Sequence, residues 1–129
     1  MIVLDASVLV AHLYSRDMHH VRANGLLKAN ADEDLTIHPM VMAEVLVEPA
    51  RVGRMRQTLE LFDSIRIEQW YATPGESVRL AHLRAETGLT LPECCSLAVA
   101  IEGRASLATF DQRLADAARS LGVTVIDTV

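Results

Sequence analysis

Short apolar runs separated by helix-like segments constrain the fold of this chain more than any other feature. The runs around residues 2–4, 106–109 and 123–126 lack the alternation of polar and apolar residues that is typical of a strand with one solvent-exposed face. Such runs are typical of parallel strands buried on both faces, and helices between strands provide the crossovers that a parallel sheet needs. The pattern therefore predicts an α/β fold in which helices flank a central, mostly parallel sheet of four to five strands.

The predicted order of elements is β-α-α-β-α-α-β-α-α-β-α-β. Strands are expected at Ile2–Leu4, Leu35–Ile37, Ile65–Ile67, Ser106–Phe110 and Val123–Ile126. Helices are expected at Ala6–Tyr14, Val21–Ala31, Met40–Val47, Arg51–Asp63, Val78–Thr87, Pro92–Glu102 and Gln112–Leu121. The sequence contains no linker, repeat or low-complexity stretch, so we expect one domain over residues 1–129.

Several residues predict where helices begin and end. Pro49 is expected to end the third helix, since proline lacks the N–H that a helix interior requires. Thr73 with Glu76 three residues later has the spacing of a capping box at the start of the fifth helix. Gly88 is expected to end that helix in a left-handed conformation.

Length and composition exclude several classes of protein. The chain has 129 residues, of which half are apolar, so it has enough apolar side chains for one sizeable core and is too hydrophobic to be disordered. Every apolar run is shorter than the roughly 18 residues that a membrane span requires. Asp5 lies within the first apolar segment, unlike in a secretory signal, and the adjacent Cys94 and Cys95 do not make a disulfide framework. We therefore expect a cytoplasmic protein without a membrane contact.

Charge and aromatic content limit how this chain would bind a nucleic acid. The formal net charge is −5 and aromatic residues make up 4% of the sequence. A negative overall field does not attract nucleic acid, and so few aromatic rings offer little surface for base stacking. Any contact with nucleic acid is expected to depend on phosphate groups and on a local site.

Four acidic residues occupy positions where chemistry is expected. Asp5 follows the first predicted strand and Asp111 follows the strand at 106–110, so both would face one crevice if these strands are neighbours. Glu93 lies in the first turn of a nearly all-apolar helix, and Glu44 is the only charge within residues 39–47. Helix capping is the alternative explanation for Asp5, Asp111 and Glu93. Glu44 lies in mid-helix and is expected to be buried, where it needs a partner.

Four carboxylates in one crevice require neutralisation. Two unit charges 4 Å apart repel by roughly 4 kcal/mol at an effective dielectric constant near 20. Lys28 is the only lysine and is far in sequence from all four acids. Arginine could neutralise some of this charge, but a divalent cation does so most economically, and an all-carboxylate set of ligands favours Mg²⁺ or Mn²⁺ over zinc or copper.

Four short motifs span nearly the whole chain and resemble those of a known family. They are Val3-Leu4-Asp5-Ala6-Ser7-Val8-Leu9, Met42-Ala43-Glu44-Val45, Leu91-Pro92-Glu93 and Thr109-Phe110-Asp111-Gln112-Arg113-Leu114. Each motif alone is weakly specific. Their order, their spacing and the total length resemble the PIN-domain nucleases, and among these the VapC-type toxins of bacterial and archaeal toxin–antitoxin pairs.

The resemblance implies a metal-dependent endoribonuclease acting as a toxin. It assigns both catalysis and the binding of one or two Mg²⁺ or Mn²⁺ ions to the same four acids, Asp5, Glu44, Glu93 and Asp111. The third acid of the family is usually aspartate, so Glu93 is a departure, and glutamate reaches one methylene farther. Ser7 and Thr109 match polar positions of the family, and they are expected to orient the acids.

The resemblance also implies three partners: an RNA substrate, a cognate antitoxin protein and a second copy of the chain in a homodimer. Arg51 and Arg54 belong to the densest basic patch and are expected to share one helix face. They are candidates for contacts to RNA phosphates, with ordinary solvated charge as an equal alternative.

Three other functions compete with that of a nuclease for a chain of this class. A non-catalytic PIN-like module that binds RNA or protein is the main alternative, because Glu93 replaces the usual aspartate. A phosphoacceptor receiver domain needs an acidic pair near the first strand and a lysine after the last core strand, and the only lysine of this chain is Lys28. A phosphatase of the haloacid-dehalogenase type needs a second aspartate two residues after the first, where this chain has Ser7.

Overall fold

Five parallel strands form one sheet in the computed structural model, which describes residues 1–127. The strands are β1 (Ile2–Leu4), β2 (Leu35–Ile37), β3 (Ile67–Gln69), β4 (Ser106–Ala108) and β5 (Val125–Ile126). Their order across the sheet is β3-β2-β1-β4-β5, and every neighbouring pair is parallel. The predicted α/β class and parallel sheet are confirmed. Residues 128 and 129, which end the predicted domain, lie outside the described residues.

Seven helices connect these strands within residues 1–127, in the predicted order. They are α1 (Ala6–Leu13), α2 (His20–Ala29), α3 (Pro39–Arg51), α4 (Met55–Ser64), α5 (Glu76–Thr87), α6 (Leu91–Gly103) and α7 (Gln112–Ser120). In this part of the chain no helix has both the length and the apolar character needed to cross a bilayer.

The core consists of two apolar clusters, one on each face of the sheet. Ile2 and Leu4 pack with residues of α1, α2 and α3, whereas Val3 packs with residues of α6 and α7. Neighbouring residues of β1 therefore point into different clusters, as the alternation of a strand requires. Because both faces of β1 are covered, its run of three apolar residues is explained by burial on both sides.

Pro49 lies inside α3, so the prediction that it ends this helix is wrong. The helix continues to Arg51, and the backbone turns at Gly53 with φ of 72°. Pro49 costs α3 one hydrogen bond in its last turn, and its ring is buried. Burial of the ring offsets a defect that is small this close to the helix end.

The left-handed turn at Gly53 also separates the two arginines of the basic patch. Arg51 is the last residue of α3, and Arg54 directly precedes α4. The prediction that they share a helix face is therefore wrong.

The capping box predicted for Thr73 and Glu76 does not form. Helix α5 begins after Gly75, which has φ of 82°. The Thr73 hydroxyl instead donates to the carboxylate of Glu102 at 2.9 Å, and the Glu76 carboxylate is bound to His38 Nε2 at 2.6 Å. Both side chains have partners from distant segments, which local spacing does not reveal. The predicted stop at Gly88 is confirmed, with φ of 71°.

Candidate functional site

The acidic site lies at the carboxyl ends of β1 and β4, where the order of strands in the sheet reverses. From β1 the chain adds β2 and β3 on one side and β4 and β5 on the other, which makes the β1–β4 junction the switch point. Leu4 pairs with Ala108, and the Asp5 N–H donates to the Ala108 carbonyl at 3.0 Å. The condition under which Asp5 and Asp111 would face one crevice is therefore met, because β1 and β4 are adjacent and the segments that follow them begin side by side.

Two hydroxyl groups hold the side chain of Asp5, one from the segment after β1 and one from the segment after β4. This side chain is buried and caps the start of α1. Its Oδ2 accepts hydrogen bonds from Ser7 Oγ at 2.8 Å and from Thr109 Oγ1 at 2.9 Å. Because Thr109 is fully buried, its contact with Asp5 is protected from water.

Asp111 is connected to Asp5 through the same two hydroxyl groups. The Asp111 N–H donates to Thr109 Oγ1 at 3.0 Å, and the Phe110 N–H donates to Ser7 Oγ at 3.0 Å. Asp111 Oδ1 accepts from the Leu114 N–H at 3.1 Å and so caps α7. Ser7 and Thr109 thus fix the backbone before Asp111 as well as the carboxylate of Asp5.

Glu93 takes part in a capping box at the start of α6. Its Oε2 accepts from the Thr90 N–H at 2.8 Å, and the Thr90 hydroxyl accepts from the Glu93 N–H at 3.3 Å. The capping alternative that the sequence left open therefore applies to Asp5, Asp111 and Glu93 together. Capping uses one oxygen of each carboxylate, and the other oxygen accepts no hydrogen bond from the described residues.

Glu44 differs from the other acids because no hydrogen bond or ion pair holds it within residues 1–127. It lies on α3 with an exposed side chain, so the expectation that it is buried is wrong. The pKa of Glu44 is raised, first by partial desolvation of its carboxylate and then by repulsion from Asp5 and Glu93. This repulsion identifies Glu44, Asp5 and Glu93 as electrostatic neighbours.

The four acids offer oxygen atoms without a counter-charge. Five carboxylate oxygens accept no hydrogen bond from the described residues: Asp5 Oδ1, Glu93 Oε1, Asp111 Oδ2 and both oxygens of Glu44. The five ion pairs found within residues 1–127 include none of these acids. Such oxygen ligands suit Mg²⁺ or Mn²⁺.

The carboxylates are not gathered into a ready-made metal cage. Within residues 1–127 no three side chains of histidine, cysteine, aspartate or glutamate lie close enough together to enclose a metal ion. Mutual repulsion of unneutralised carboxylates opposes their closer approach. The set of donors thus fits a hard divalent cation in its chemistry, while a closed geometry would require the carboxylates to move inward.

The two arginines predicted to contact phosphate lie away from these acids. Arg51 donates to Glu48 at 2.9 Å, and both side chains are exposed. Arg54 lines a groove of about 370 Å³, together with Leu13, Tyr14, Glu48, Pro49, Val52, Gln57, Thr58 and Leu61. None of the four acids lines that groove, and a phosphate role for these arginines stays a prediction.

A second group of residues beside Asp111 was not predicted from the sequence. His19 stacks on Phe110 with ring centroids 4.9 Å apart, and the Arg22 guanidinium lies 4.8 Å from the centre of the Phe110 ring. These side chains line a cavity of about 200 Å³ together with Thr109, Asp111, Gln112, Ala115 and Asp127. The only sequence signal was the position of Phe110 directly before Asp111.

The two cysteines are buried and unpaired. Burial, followed by the nearby charges of Glu76, Cys94 and Glu44, raises the pKa of the Cys95 thiol to about 11. Burial also raises the pKa of Cys94. Both thiols are therefore protonated at neutral pH, which disfavours roles as nucleophiles or metal ligands.

Comparison with known proteins gives one family and many similar folds. The family model of the PIN domain matches residues 2–120. No curated protein matches the sequence.

Three solved structures illustrate the similarity of the fold. A toxin–antitoxin complex from Klebsiella pneumoniae is 22% identical with a TM-score of 0.71, over 86% of this chain and 87% of that one. VapBC2 from Rickettsia felis, bound to a DNA fragment from its promoter, is 17% identical with a TM-score of 0.74 over the full length of both chains. VapC20 of Mycobacterium tuberculosis, a toxin that cleaves the sarcin–ricin loop, is 17% identical with a TM-score of 0.75, over 91% of this chain and 95% of that one.

Proposed function

This chain belongs to the PIN-domain family, and from that premise we propose that it is a metal-dependent endoribonuclease acting as the toxin of a VapC-type toxin–antitoxin pair. The observation that carries the proposal is the position of Glu44. Its carboxylate has no partner among residues 1–127, and its pKa is raised by partial desolvation and then by the charges of Asp5 and Glu93. A carboxylate that no cation neutralises, beside two others, is suited to bind a cation.

The ion would be held by Asp5, Glu44, Glu93 and Asp111, with Mg²⁺ or Mn²⁺ as the ion and one or two bound. When bound, it would supply positive charge and Lewis-acid activation at the phosphodiester of an RNA strand. Asp5 would present Oδ1, because Ser7 and Thr109 hold Oδ2. Asp111 would present Oδ2, because the Leu114 N–H holds Oδ1. The hydroxyls of Ser7 and Thr109 thus act as orienting groups for the two aspartates.

Glu44 and Glu93 would complete the site from the helix side. Glu93 would keep Oε2 on the Thr90 N–H and offer Oε1, and its extra methylene gives it a longer reach than aspartate. Glu44 offers both oxygens and can approach the ion without breaking a hydrogen bond. Closure of these two carboxylates around the ion would relieve the repulsion that raises the pKa of Glu44.

We propose an antitoxin protein and a second copy of the chain as partners, and a cytoplasmic location. The structures similar in fold include toxin–antitoxin complexes from Klebsiella pneumoniae and Rickettsia felis, which supports an antitoxin partner. The groove that contains Leu13, Tyr14 and Val52 is lined by both apolar and polar residues, which suits the surface to a protein partner. The free thiols of Cys94 and Cys95 fit a reducing compartment.

The decisive experiment compares RNA cleavage by the wild-type protein and two variants, Asp5→Asn and Glu44→Gln, purified in parallel. Cleavage of a labelled RNA is measured in EDTA and then in Mg²⁺ or Mn²⁺. We expect cleavage only with the divalent ion, and a loss in each variant larger than the roughly 10- to 100-fold that follows removal of an outer-sphere partner. The ends of the products are mapped, and 5′-phosphate with 3′-hydroxyl ends are expected.

Asp116→Asn is the matched control for these variants. Asp116 is exposed on α7 and accepts a hydrogen bond from Gln112 at 2.7 Å, so this variant removes a carboxylate outside the site. It should cleave like the wild type. Equal residual activity in wild type and Asp5→Asn would instead indicate a contaminating nuclease and leave the non-catalytic binding module as the function.

A further inference from the structure

The group formed by His19, Arg22 and Phe110 has features that the acidic site does not explain. It connects the start of α2 to the loop between β4 and α7, where Phe110 directly precedes Asp111. Its cavity is also lined by Thr109, whose hydroxyl donates to Asp5 at 2.9 Å. The cavity and the acidic site therefore share a wall.

Arg22 is a fixed cation without a carboxylate partner in the described part of the chain. Its guanidinium donates to His19 Nδ1 at 3.1 Å and to the backbone carbonyl of Asp127, and it lies against the Phe110 ring. A guanidinium has five N–H donors, so the two contacts leave others for a ligand. Stacking and hydrogen bonding hold the group in place, which lowers the entropy cost of binding.

His19 adds a further hydrogen-bond donor to the part of the cavity that Arg22 lines. Arginine can only donate, so Nδ1 of His19 must accept, and the neutral ring then carries its proton on Nε2. Nε2 has no hydrogen-bond partner among residues 1–127. His19 and Arg22 together present several N–H donors and a permanent positive charge.

The charges around the cavity leave this positive group uncompensated. Asp127 lines the cavity, but its carboxylate accepts from Arg119 at 3.1 Å. Asp111 also lines it, and would be bound to the metal ion in the proposed nuclease. An anionic ligand would therefore meet Arg22 and His19 on one side and the cation site on the other.

We propose that His19 and Arg22 bind a backbone phosphate of the RNA strand next to the one that is cleaved, an inference that rests on the proposed nuclease function. The cavity of about 200 Å³ is several times the roughly 30 Å³ occupied by one water molecule. The Phe110 ring is already packed against His19 and Arg22, so the group offers hydrogen-bond donors rather than a stacking surface for a base. Arg22 thus places the strand in register with the acids and reads no base.

The test measures RNA binding without cleavage. Each protein carries Asp5→Asn, and the affinity for a fluorescently labelled single-stranded RNA is measured in Mg²⁺ by anisotropy over a series of salt concentrations. Arg22→Gln is compared with Lys28→Gln, which removes one exposed cation from the same helix but outside the cavity. Thermal unfolding shows whether each protein is folded at the assay temperature.

Arg22→Gln should weaken binding several-fold and make the slope of log K against log salt shallower by about 0.7, the value for one lost phosphate contact on a single strand. Lys28→Gln should leave both quantities unchanged, and Arg22→Lys should restore part of the slope because it keeps the charge. Equal slopes in Arg22→Gln and Lys28→Gln would overturn the inference.

The two proposals fail in different ways. Absence of cleavage by the wild type would refute the nuclease but leave the salt slope of Arg22→Gln to decide on the phosphate contact. Cleavage by the wild type together with an unchanged slope would refute only the phosphate contact.

Discussion

The strand side and the helix side of the acidic site are built in different ways. On the strand side, Asp5 and Asp111 follow β1 and β4, and the hydroxyls of Ser7 and Thr109 connect them through hydrogen bonds of 2.8 to 3.0 Å. On the helix side, Glu93 is held by one backbone N–H, and Glu44 has no such contact within residues 1–127. One side is therefore fixed before a ligand arrives, whereas the other is free to adjust.

This difference indicates that the strand side holds its carboxylates in place, whereas the helix side can adjust. Buried hydrogen bonds on the strand side fix position, since each group there satisfies a neighbour that would otherwise be unpaired. On the helix side, Glu44 is exposed and Glu93 is half-buried, so water screens part of the repulsion between them, and in the proposed site both would move inward around the cation. Changes on the strand side should therefore cost more folding free energy than changes on the helix side.

Thr109→Val should cause the largest loss of folding free energy among these changes. The change keeps the shape of a fully buried side chain but removes the donor to Asp5 and the acceptor of the Asp111 N–H. The unfolding free energy should fall by about 2–3 kcal/mol, the cost of unpaired buried polar groups. Cleavage should fall by roughly 10- to 100-fold, as expected for a partner that orients a metal ligand. Urea unfolding and cleavage rates check the two effects.

Thr58→Val is the matched control for the strand side. Thr58 is also buried, and its hydroxyl donates to the Arg54 carbonyl at 2.8 Å, away from the acids. We expect a loss of about 1 kcal/mol or less and normal cleavage. If both variants retain full activity, the hydroxyl network does not position Asp5 for catalysis.

Divalent cations should stabilise the folded protein. At about 100 times the dissociation constant, Mn²⁺ should add roughly 2.7 kcal/mol to the unfolding free energy and raise Tm by several degrees. The gain should disappear in Asp5→Asn and should exceed any effect of a monovalent salt at the same ionic strength. An unchanged Tm across a Mn²⁺ titration would contradict the proposed ion site.

Glu93→Gln should separate the two roles of this residue. Glutamine can still accept the Thr90 N–H in a capping box, so the unfolding free energy should change by no more than about 0.5 kcal/mol. The amide is a poorer ligand for Mg²⁺, and roughly tenfold more ion should be needed for half-maximal cleavage. Unaltered ion dependence would mean that Glu93 serves only as a cap.

Glu44→Gln should stabilise the metal-free protein slightly, in a pH-dependent way. The pKa of Glu44 is raised by partial desolvation and by the charges of Asp5 and Glu93, so the folded state holds this proton more tightly than the unfolded chain does. Above the raised pKa both states are ionised and the folded state has the full repulsion. Below the ordinary value of 4.5 both are protonated and the repulsion is gone.

The stabilisation by Glu44→Gln should therefore be greatest at neutral pH and vanish as the pH falls through 4.5. Because Glu44 is exposed, we expect a gain below about 1 kcal/mol, measured by urea unfolding at several pH values in EDTA. A gain that persists at low pH would show that charge is not its cause.

Local sequence patterns predicted the fold well because they reflect burial along single elements. The three-residue runs of β1 and β2 are buried throughout, and Gly88 takes the left-handed conformation that its position after α5 suggested. The rules of parallel sheets placed Asp5 and Asp111 beyond the carboxyl ends of their strands, but that β1 and β4 are neighbours came from the structure.

Features that depend on distant partners could not be predicted in this way. Thr73 has the spacing of a cap, but Glu102 is 29 residues away in sequence and binds its hydroxyl instead. Pro49 is tolerated because its ring is buried. Arg22 approaches Phe110 across 88 positions of sequence, and no periodicity in either segment indicates that contact.

The use of acids as helix caps has a consequence for how such chains diverge. Asp5, Glu93 and Asp111 each cap the beginning of a helix, so selection for folding alone would keep them in a descendant that lacked the proposed nuclease activity. Glu44 contributes nothing to the fold that a neutral side chain would not. Glu44 on α3 is therefore the first of the four acids that an inactive descendant would be expected to replace.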